Sequence, residues 1–137
     1  MTQIVSSGIS GLDRVLKGGL IKGCSYLVKG CPGSGKTIFG LQFLLEGVKN
    51  DEKSVLISFE ESEREVRTQA KSFGWDVDDV VFVDLIKEFD VFSSNFLFLD
   101  SGNLAEINSF IQTIARKEEL KGVERLLLMG VRFLGIL

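Results

Sequence analysis

Residues 30–37 read Gly-Cys-Pro-Gly-Ser-Gly-Lys-Thr, which is a complete Walker A phosphate-binding loop. Its glycines let the backbone adopt conformations that are closed to residues with side chains, so successive N–H groups can point at phosphate oxygens. Lys36 can reach the β- and γ-phosphates of a nucleotide, and the Thr37 hydroxyl can ligate the Mg²⁺ that bridges them. We therefore predict that the whole loop forms a nucleotide site: Gly30, Cys31, Pro32, Gly33, Ser34, Gly35, Lys36 and Thr37.

The sequence on either side of the loop fits this motif, which requires a preceding strand and a following helix. Residues 24–28, Cys-Ser-Tyr-Leu-Val, are typical of a short buried strand. From Thr37 to Val48, apolar residues recur at the spacing of one helix face. The N-terminus of this helix would add the positive end of its dipole to the phosphate site.

The composition indicates a single folded domain over residues 1–137, with 45% apolar residues and a formal net charge of -3. This charge provides no broad basic face, so nucleic acid is not an expected partner. Histidine is absent, so a carboxylate would have to supply any base catalysis. The two cysteines, Cys24 and Cys31, lack the spacing of a zinc site or a redox pair.

Neither end of the sequence predicts a membrane protein. The first residues, Met-Thr-Gln-Ile-Val, lack the basic and apolar regions of a signal peptide. The longest apolar stretch, residues 126–137, is interrupted by Arg132 and is shorter than the roughly 20 residues of a spanning helix. We therefore expect a cytoplasmic protein without a membrane partner.

Hydrophobic periodicity predicts that strands and helices alternate along the chain. This alternation indicates an α/β fold with a mostly parallel sheet flanked by helices. One predicted helix would bury Val66, Ala70 and Phe73 on a common face. Beyond the elements around the loop, we predict strands at 54–59, 80–84 and 125–129, helices at 63–73 and 103–119, and a strand or lid segment at 96–99.

A glycine-punctuated lead-in precedes the phosphate-loop strand at residues 7–23. Its apolar residues suggest one short amphipathic helical turn. Ser10 would cap this turn, and Gly18-Gly19 would end it.

Two segments, together with the Walker A loop, resemble the KaiC-like family of RecA-superfamily P-loop ATPases. They are residues 8–13, Gly-Ile-Ser-Gly-Leu-Asp, followed by Gly18-Gly19, and residues 59–61, Phe-Glu-Glu. The resemblance implies a RecA-like core, ATP and Mg²⁺ as ligands, and self-association, often as a hexameric ring with nucleotide between neighbouring subunits. It is strong over residues 7 to about 85 and weaker beyond.

The resemblance also implies that Glu60 and Glu61 are the catalytic carboxylates that activate the attacking water. A strand beside the phosphate-loop strand ends at the ligand edge of a parallel sheet, which supports this role. Adjacent residues of an extended strand point to opposite faces, so one of the two should face the nucleotide, and we slightly favour Glu60. The alternative is that both are solvated and that Glu61 or Ser62 begins the next helix.

The sequence departs from the family at the acid that should help to hold Mg²⁺ after the fourth strand, the Walker B position. Met129 or Gly130 stands there, and neither side chain offers an oxygen ligand. Asp100, after the apolar residues 96–99, satisfies the local pattern but precedes the helix that should come first. Asp84 is a weaker candidate for the metal ligand.

The sequence also stops before the further strands that RecA-like cores carry. We therefore expect a truncated member of the family, with C-terminal strands missing and ATP hydrolysis weak or absent, because cations from those strands would be lacking. Residues 126–137 would then expose an unpaired apolar edge for association. The alternatives are a non-catalytic, nucleotide-regulated interaction module and a recombinase-related DNA-handling ATPase.

Overall fold

Strands and helices alternate over the parts of the chain that the computed structural model describes, which are residues 2–26, 28–31, 33–58, 61–84, 120–129 and 134–136. The strand or lid segment predicted at 96–99 and the helix predicted at 103–119 lie outside these residues. No helix within the described ranges is long and apolar enough to cross a bilayer. The elements are β1 (Ile4–Val5), α1 (Ser10–Val15), β2 (Leu20–Ile21), β3 (Ser25–Tyr26), α2 (Lys36–Lys49), β4 (Ser54–Ser58), α3 (Glu63–Ser72), β5 (Val81–Asp84), β6 (Arg125–Met129) and β7 (Leu134–Ile136).

The main sheet has five strands in the order β3-β7-β6-β4-β5, and β1 pairs with β2 in a separate small sheet. β4 is parallel to both β5 and β6, whereas β7 is antiparallel to β6 and to β3. It follows that β3, β6, β4 and β5 all run in one direction and that β7 alone opposes them. The predicted α/β fold with a mostly parallel sheet is confirmed, and the carboxyl ends of these four strands share one edge of the sheet.

β7 corrects two expectations about strand neighbours. β4 does not lie beside the phosphate-loop strand, because β7 and β6 stand between β3 and β4. Nor does β6 form an exposed edge, since β7 pairs with it from Leu134 opposite Leu127 to Ile136 opposite Arg125. Leu127 is only 4% exposed. The expected apolar association edge is therefore wrong over residues 126–127 and 134–136, whose backbone pairs within the sheet.

The core forms where α2 and α3 pack on the sheet. All five residues of β4 are buried, as expected for a strand covered on both faces. α2 contacts β4 and β6, and it buries Leu41 and Leu44 completely. α3 buries Val66 and Ala70 in the same cluster, as the periodicity predicts.

Two details of the helix ends differ from the prediction. Phe73 is not on the buried face of α3 but is its C-cap, half-exposed, with its ring stacked on Trp75 at a centroid distance of 5.0 Å. Ser10 does not cap α1, because it is the first helical residue and the N-cap is Ile9 without a side-chain hydrogen bond. In both cases the helix boundary differs from the prediction by one residue. This difference is enough to change the role of the side chain at that boundary.

Gly40 and Gly47 explain how closely α2 approaches the sheet. A Cβ at Gly40 would overlap a methyl carbon of Leu127 on β6, so glycine lets the helix pack closely on the sheet at this position. A Cβ at Gly47 would lie 2.5 Å from Ser54 Oγ and 2.6 Å from Arg125 Cδ. Glycine lowers the helix propensity at these two positions, and the close contact that it allows between α2 and the sheet offsets this loss.

The space beside Gly47 holds the guanidinium of Arg125, which is 1% exposed at the start of β6. Its Nη1 donates to the carbonyl of Phe43 at 2.9 Å, and the Phe43 ring lies 4.9 Å from the guanidinium carbon. Nε donates to the Glu52 carboxylate at 3.3 Å. A buried cation is tolerated only when its donors are paired in this way.

We predict that Glu52→Gln destabilises the fold by about 3 kcal/mol, because the buried Arg125 guanidinium would lose its counter-charge. Urea denaturation measures the change in the free energy of unfolding. The control is Glu63→Gln, which breaks the exposed pair with Arg67 and should cost less than about 0.5 kcal/mol. Equal losses in the two variants would contradict the importance of the buried pair.

Candidate phosphate-binding site

The loop between β3 and α2 takes the backbone conformation that the motif requires. Gly33 has φ 82° and Gly35 has φ 97°, both in the left-handed region that side chains disfavour. Gly35 is also the N-cap of α2, so the chain enters the helix directly from the loop. For these two glycines the predicted conformational role is confirmed.

Gly30 is required for space rather than for a positive φ. A Cβ at Gly30 would overlap Ser34 Oγ, so a side chain here would displace the opposite wall of the loop. Lys36 Nζ donates to the Gly30 carbonyl at 2.9 Å, and Ser34 N donates to the Cys31 carbonyl at 3.0 Å. These two bonds close the loop and bring the lysine across it.

The other predicted residues of the loop are placed as follows. Thr37 is in the first turn of α2 and is partly buried, whereas Cys31 is an exposed free thiol. Pro32 lies outside the described residues. The loop thus brings the Lys36 ammonium and the Thr37 hydroxyl to the N-terminus of the same helix.

The two helix N-termini at this edge of the sheet differ in charge. α3 is capped by Ser62, which accepts from Glu65 N, and it carries Glu63 and Glu65 in its first turn. α2 has no side-chain cap and no acidic residue in its first turn. The first N–H groups of α2, together with Lys36, therefore leave an uncompensated positive end that favours an anion.

Of the two candidate catalytic carboxylates, only Glu61 lies within the described residues. It follows β4 at the same edge of the sheet, and Gln69 Nε2 of α3 donates to its Oε2 at 2.9 Å. Ser58 Oγ accepts from Glu61 N at 3.1 Å and donates to the Glu61 carbonyl. Sequence reasoning missed Gln69 and Ser58, since neither belongs to a motif and α3 brings Gln69 to Glu61 only after folding.

Asp84 is the one candidate for the acidic metal ligand that lies within the described residues. Asp100 and Gly130 lie outside the described residues. Asp84 ends β5, which is four strand positions from β3, or roughly 19 Å at the usual spacing of strands. Met129 ends β6, in register with Ser58, and stands nearer to the loop strand. Met129 is one of the two residues that the sequence analysis places at the expected acidic position, and its side chain is a thioether.

The glycine-rich lead-in packs against the helix that carries the loop. Gly8 has φ 83°, and a Cβ there would lie 2.5 Å from the Gln42 carbonyl on α2. The Asp13 carboxylate accepts hydrogen bonds from Ser6 Oγ at 2.5 Å and from Ser7 N at 2.8 Å. The signature at residues 8–13 is thus a close-packing and hydrogen-bonding unit behind the phosphate loop.

Comparison with known proteins agrees with this arrangement. The sequence pattern of the family described as ATPase: KaiC matches residues 5–130. The chain belongs to this family. Its expected RecA-like core is therefore confirmed, and the loop at 30–37 is the P-loop of an ATP-binding family.

Individual members of the family are similar over a little more than half of this chain. The chain is 43% identical over 83 residues to the circadian clock oscillator protein KaiC of Parasynechococcus marenigrum, covering 60% of this chain and 16% of that protein. It is 44% identical over 77 residues to the UPF0273 protein PH0284 of Pyrococcus horikoshii, covering 56% and 31%. It is 45% identical over 76 residues to the circadian clock protein KaiC2 of a Synechocystis species, covering 55% and 13%. The chain thus spans less than a third of the length of each of these relatives.

We predict a pH dependence from Asp13. Burial alone would raise the pKa of its carboxyl, but hydrogen bonds from Ser6 and Ser7 and the charge of Arg125 outweigh burial, so the pKa lies below its ordinary value of 3.8. Ionised Asp13 therefore stabilises the folded state at pH values above 3.8, and this contribution is lost as the pH falls through the lower, folded-state pKa.

The measurement is an NMR titration of the Asp13 carboxyl carbon, together with the free energy of unfolding of Asp13→Asn. The variant should be less stable than the unaltered chain at neutral pH, and the difference should shrink at acidic pH below the ordinary carboxyl pKa. A titration midpoint at or above 3.8 would contradict the assignment.

Proposed function

We propose that this chain binds ATP with Mg²⁺ through residues 30–37 and hydrolyses it slowly or not at all. The observation that carries the proposal is the P-loop itself. It leads through left-handed Gly35 into an uncapped helix N-terminus, with Lys36 reaching across the loop. Polyphosphate is the anion that this combination of backbone donors and one ammonium group accepts best.

Each part of the loop has a definite task in this proposal. The backbone N–H groups and Lys36 would bind the β- and γ-phosphates, and the Thr37 hydroxyl would be a ligand of Mg²⁺. The metal would neutralise charge on the phosphates when bound. Over the described part of the chain, no group of three or more His, Cys, Asp or Glu side chains could hold a metal ion. In this proposal Thr37 and the phosphates are the ligands of Mg²⁺.

Slow hydrolysis follows from the residue that ends β6. An acid at this position would hold Mg²⁺ or its water shell beside the phosphates, and Met129 has no oxygen ligand to replace it. Glu60 or Glu61 would still be available to orient a water in line with the γ-phosphate. The site is therefore better suited to hold ATP than to turn it over.

Self-association, up to a hexameric ring, is part of the same proposal because the family resemblance implies that nucleotide lies between neighbouring subunits. A neighbouring subunit would then supply cations that this chain's own site lacks, as arginine fingers do in related phosphoryl-transfer enzymes. The alternative of a partner docking on an apolar edge at residues 126–137 is weakened at residues 126 and 127, which are paired on both sides.

We predict that Lys36→Ala weakens ATP binding about 10- to 100-fold, as expected for the loss of a charge-assisted contact with phosphate. Titration with a fluorescent ATP analogue, with Mg²⁺ and with EDTA, measures the affinity. Lys49→Ala is the matched control, since it removes an exposed lysine from the other end of the same helix. If Lys36→Ala binds ATP as well as the control does, the proposed site is wrong.

We also predict that Met129→Asp raises the rate of Mg²⁺-dependent hydrolysis by about tenfold or more, because it restores an anionic group beside the metal. Single-turnover assays with excess protein measure the rate. The control is Met129→Asn, which is similar in shape and polarity but carries no charge. Equal rates in the two variants would show that the missing acid does not limit hydrolysis.

A further inference from the structure

We propose that this chain associates head to tail with a second copy of itself through two surfaces at the amino edge of the sheet, where its parallel strands begin. The inference rests on the self-association in the proposed function and deepens it by naming a contact that needs no nucleotide. The first surface, the lead-in patch, consists of the exposed apolar residues of β1, α1 and β2, which are Ile4, Val15, Leu16 and Ile21. The second, the acidic corner, consists of Phe73, Asp76 and Asp79 at the end of α3 and just after it.

The exposed large apolar side chains are concentrated at these two places. Within the described part of the chain there are five of them, and four belong to the lead-in patch. Val15 is 78% exposed, and the fifth residue, Phe73, is 50% exposed. Single exposed apolar residues are ordinary on a protein surface, whereas a cluster of them marks a surface that another molecule covers.

The residues of the lead-in patch are neighbours in space. Ile4 of β1 is directly paired with Ile21 of β2. A Cβ at Gly18 would lie 3.5 Å from Ile4 Cγ2, so the turn after α1 packs against the same strand. Val15 and Leu16 at the end of α1 lead into that turn. The patch is therefore one apolar surface rather than four separate side chains.

The lead-in patch has a positively charged rim. Residues 1–45 contain five basic residues and a single acid, Asp13, although the whole chain is acidic. Three of these basic residues are exposed and adjoin residues of the patch in the sequence, and they are Arg14, Lys17 and Lys22. An apolar centre with a polar rim is the usual anatomy of a protein interface. The complementary surface must therefore carry an apolar group among acids.

The acidic corner has this complementary composition. The Phe73 ring is stacked on Trp75 at a centroid distance of 5.0 Å, so an aromatic surface stands at the end of α3. Asp76 and Asp79 follow in the loop to β5, and both are exposed. Asp78 lies between them and pairs with a guanidinium of α3 at 3.0 Å. The corner thus offers an aromatic centre with carboxylates beside it.

The topology places both surfaces at the same edge of the sheet but at opposite ends of it. Ile21 precedes the first residue of β3 by four positions, and Asp79 precedes the first residue of β5 by two. β3 and β5 are the outermost of the five strands and lie roughly 19 Å apart at the usual strand spacing. A lead-in patch therefore reaches an acidic corner only on a second copy of the chain.

A second copy is the occupant that uses both surfaces. An anionic bilayer would attract the basic rim of the lead-in patch but would repel the acids beside Phe73. Because the two surfaces differ, the contact is heterologous, and successive copies form either a closed ring or an open chain. The phosphate loop follows β3 at the opposite, carboxyl edge of the sheet, so this contact should form with or without ATP.

The test uses two variants of the full chain that each remove one surface, Val15→Glu and Phe73→Glu. Sedimentation velocity without nucleotide measures assembly over a range of protein concentrations. Each variant alone should associate about 100-fold more weakly than the unaltered chain. A mixture of the two should form dimers and nothing larger, because one intact patch and one intact corner remain for a single contact.

Two further variants make the test independent of the Phe73 ring. Asp79→Lys changes an exposed loop residue and should weaken association about tenfold, because a cation would then face the basic rim. The matched control is Thr68→Glu, which adds a charge to the exposed side of α3 away from both surfaces and should associate like the unaltered chain. Thermal unfolding of each variant verifies that it is folded.

Three results would overturn the proposal. The first is an unaltered chain that stays monomeric without nucleotide up to about 100 μM. The second is a mixture of Val15→Glu and Phe73→Glu that forms no dimers. The third is a monomeric chain that binds vesicles of phosphatidylglycerol and phosphatidylcholine through Val15, because a bilayer would then cover the patch.

Titration of the same samples with the fluorescent ATP analogue separates this contact from the proposed ATP site. A chain that binds ATP but fails the assembly test loses only the contact. A folded chain that binds no ATP refutes the proposed ATP site, whereas assembly of that chain in the expected pattern would still support the contact.

Discussion

The position of the P-loop depends on one buried cation on β6. The Arg125 side chain is shielded from bulk solvent, and burial of an unpaired charge costs several kcal/mol. Its donors reach the Phe43 carbonyl on α2 and the Glu52 carboxylate in the turn after α2. Since one acceptor lies in α2 and the other just after it, these two bonds tie the C-terminal half of α2 to the sheet. Since the helix is rigid, the loop at its N-terminus is fixed with it.

Glycines make this placement of α2 possible, although glycine lowers the helix propensity at the two positions that lie inside α2. Gly47 leaves room for the guanidinium, Gly40 lets α2 approach Leu127, and Gly8 lets the lead-in touch the Gln42 carbonyl. These close approaches surround α2 on several sides. The lead-in signature of the family therefore has a physical function, which is to hold the P-loop helix from behind.

The direction of the strands brings the chemical groups to one edge. The P-loop follows β3, Glu61 follows β4 and Met129 ends β6, and all three strands run the same way. The inserted antiparallel strand β7 separates β3 from β6 without changing this relation. The carboxylate and the phosphate loop therefore share an edge but are not on adjacent strands. Contacts through α2 and α3, rather than strand pairing, must hold one relative to the other.

The sequence by itself determined the local elements and the family. Residues 30–37 predict the strand–loop–helix unit because these positions have steric and chemical requirements, and β6 was predicted at its observed bounds from an apolar run that follows Arg125. Tertiary structure decided what depends on contacts between distant residues. Three features could not be predicted: the pairing of β7 with β6 and β3, the burial of Arg125, and the hydrogen bond from Gln69 to Glu61. The periodicity of hydrophobic residues indicates which face of an element is buried, but it does not indicate which residues contact each other there.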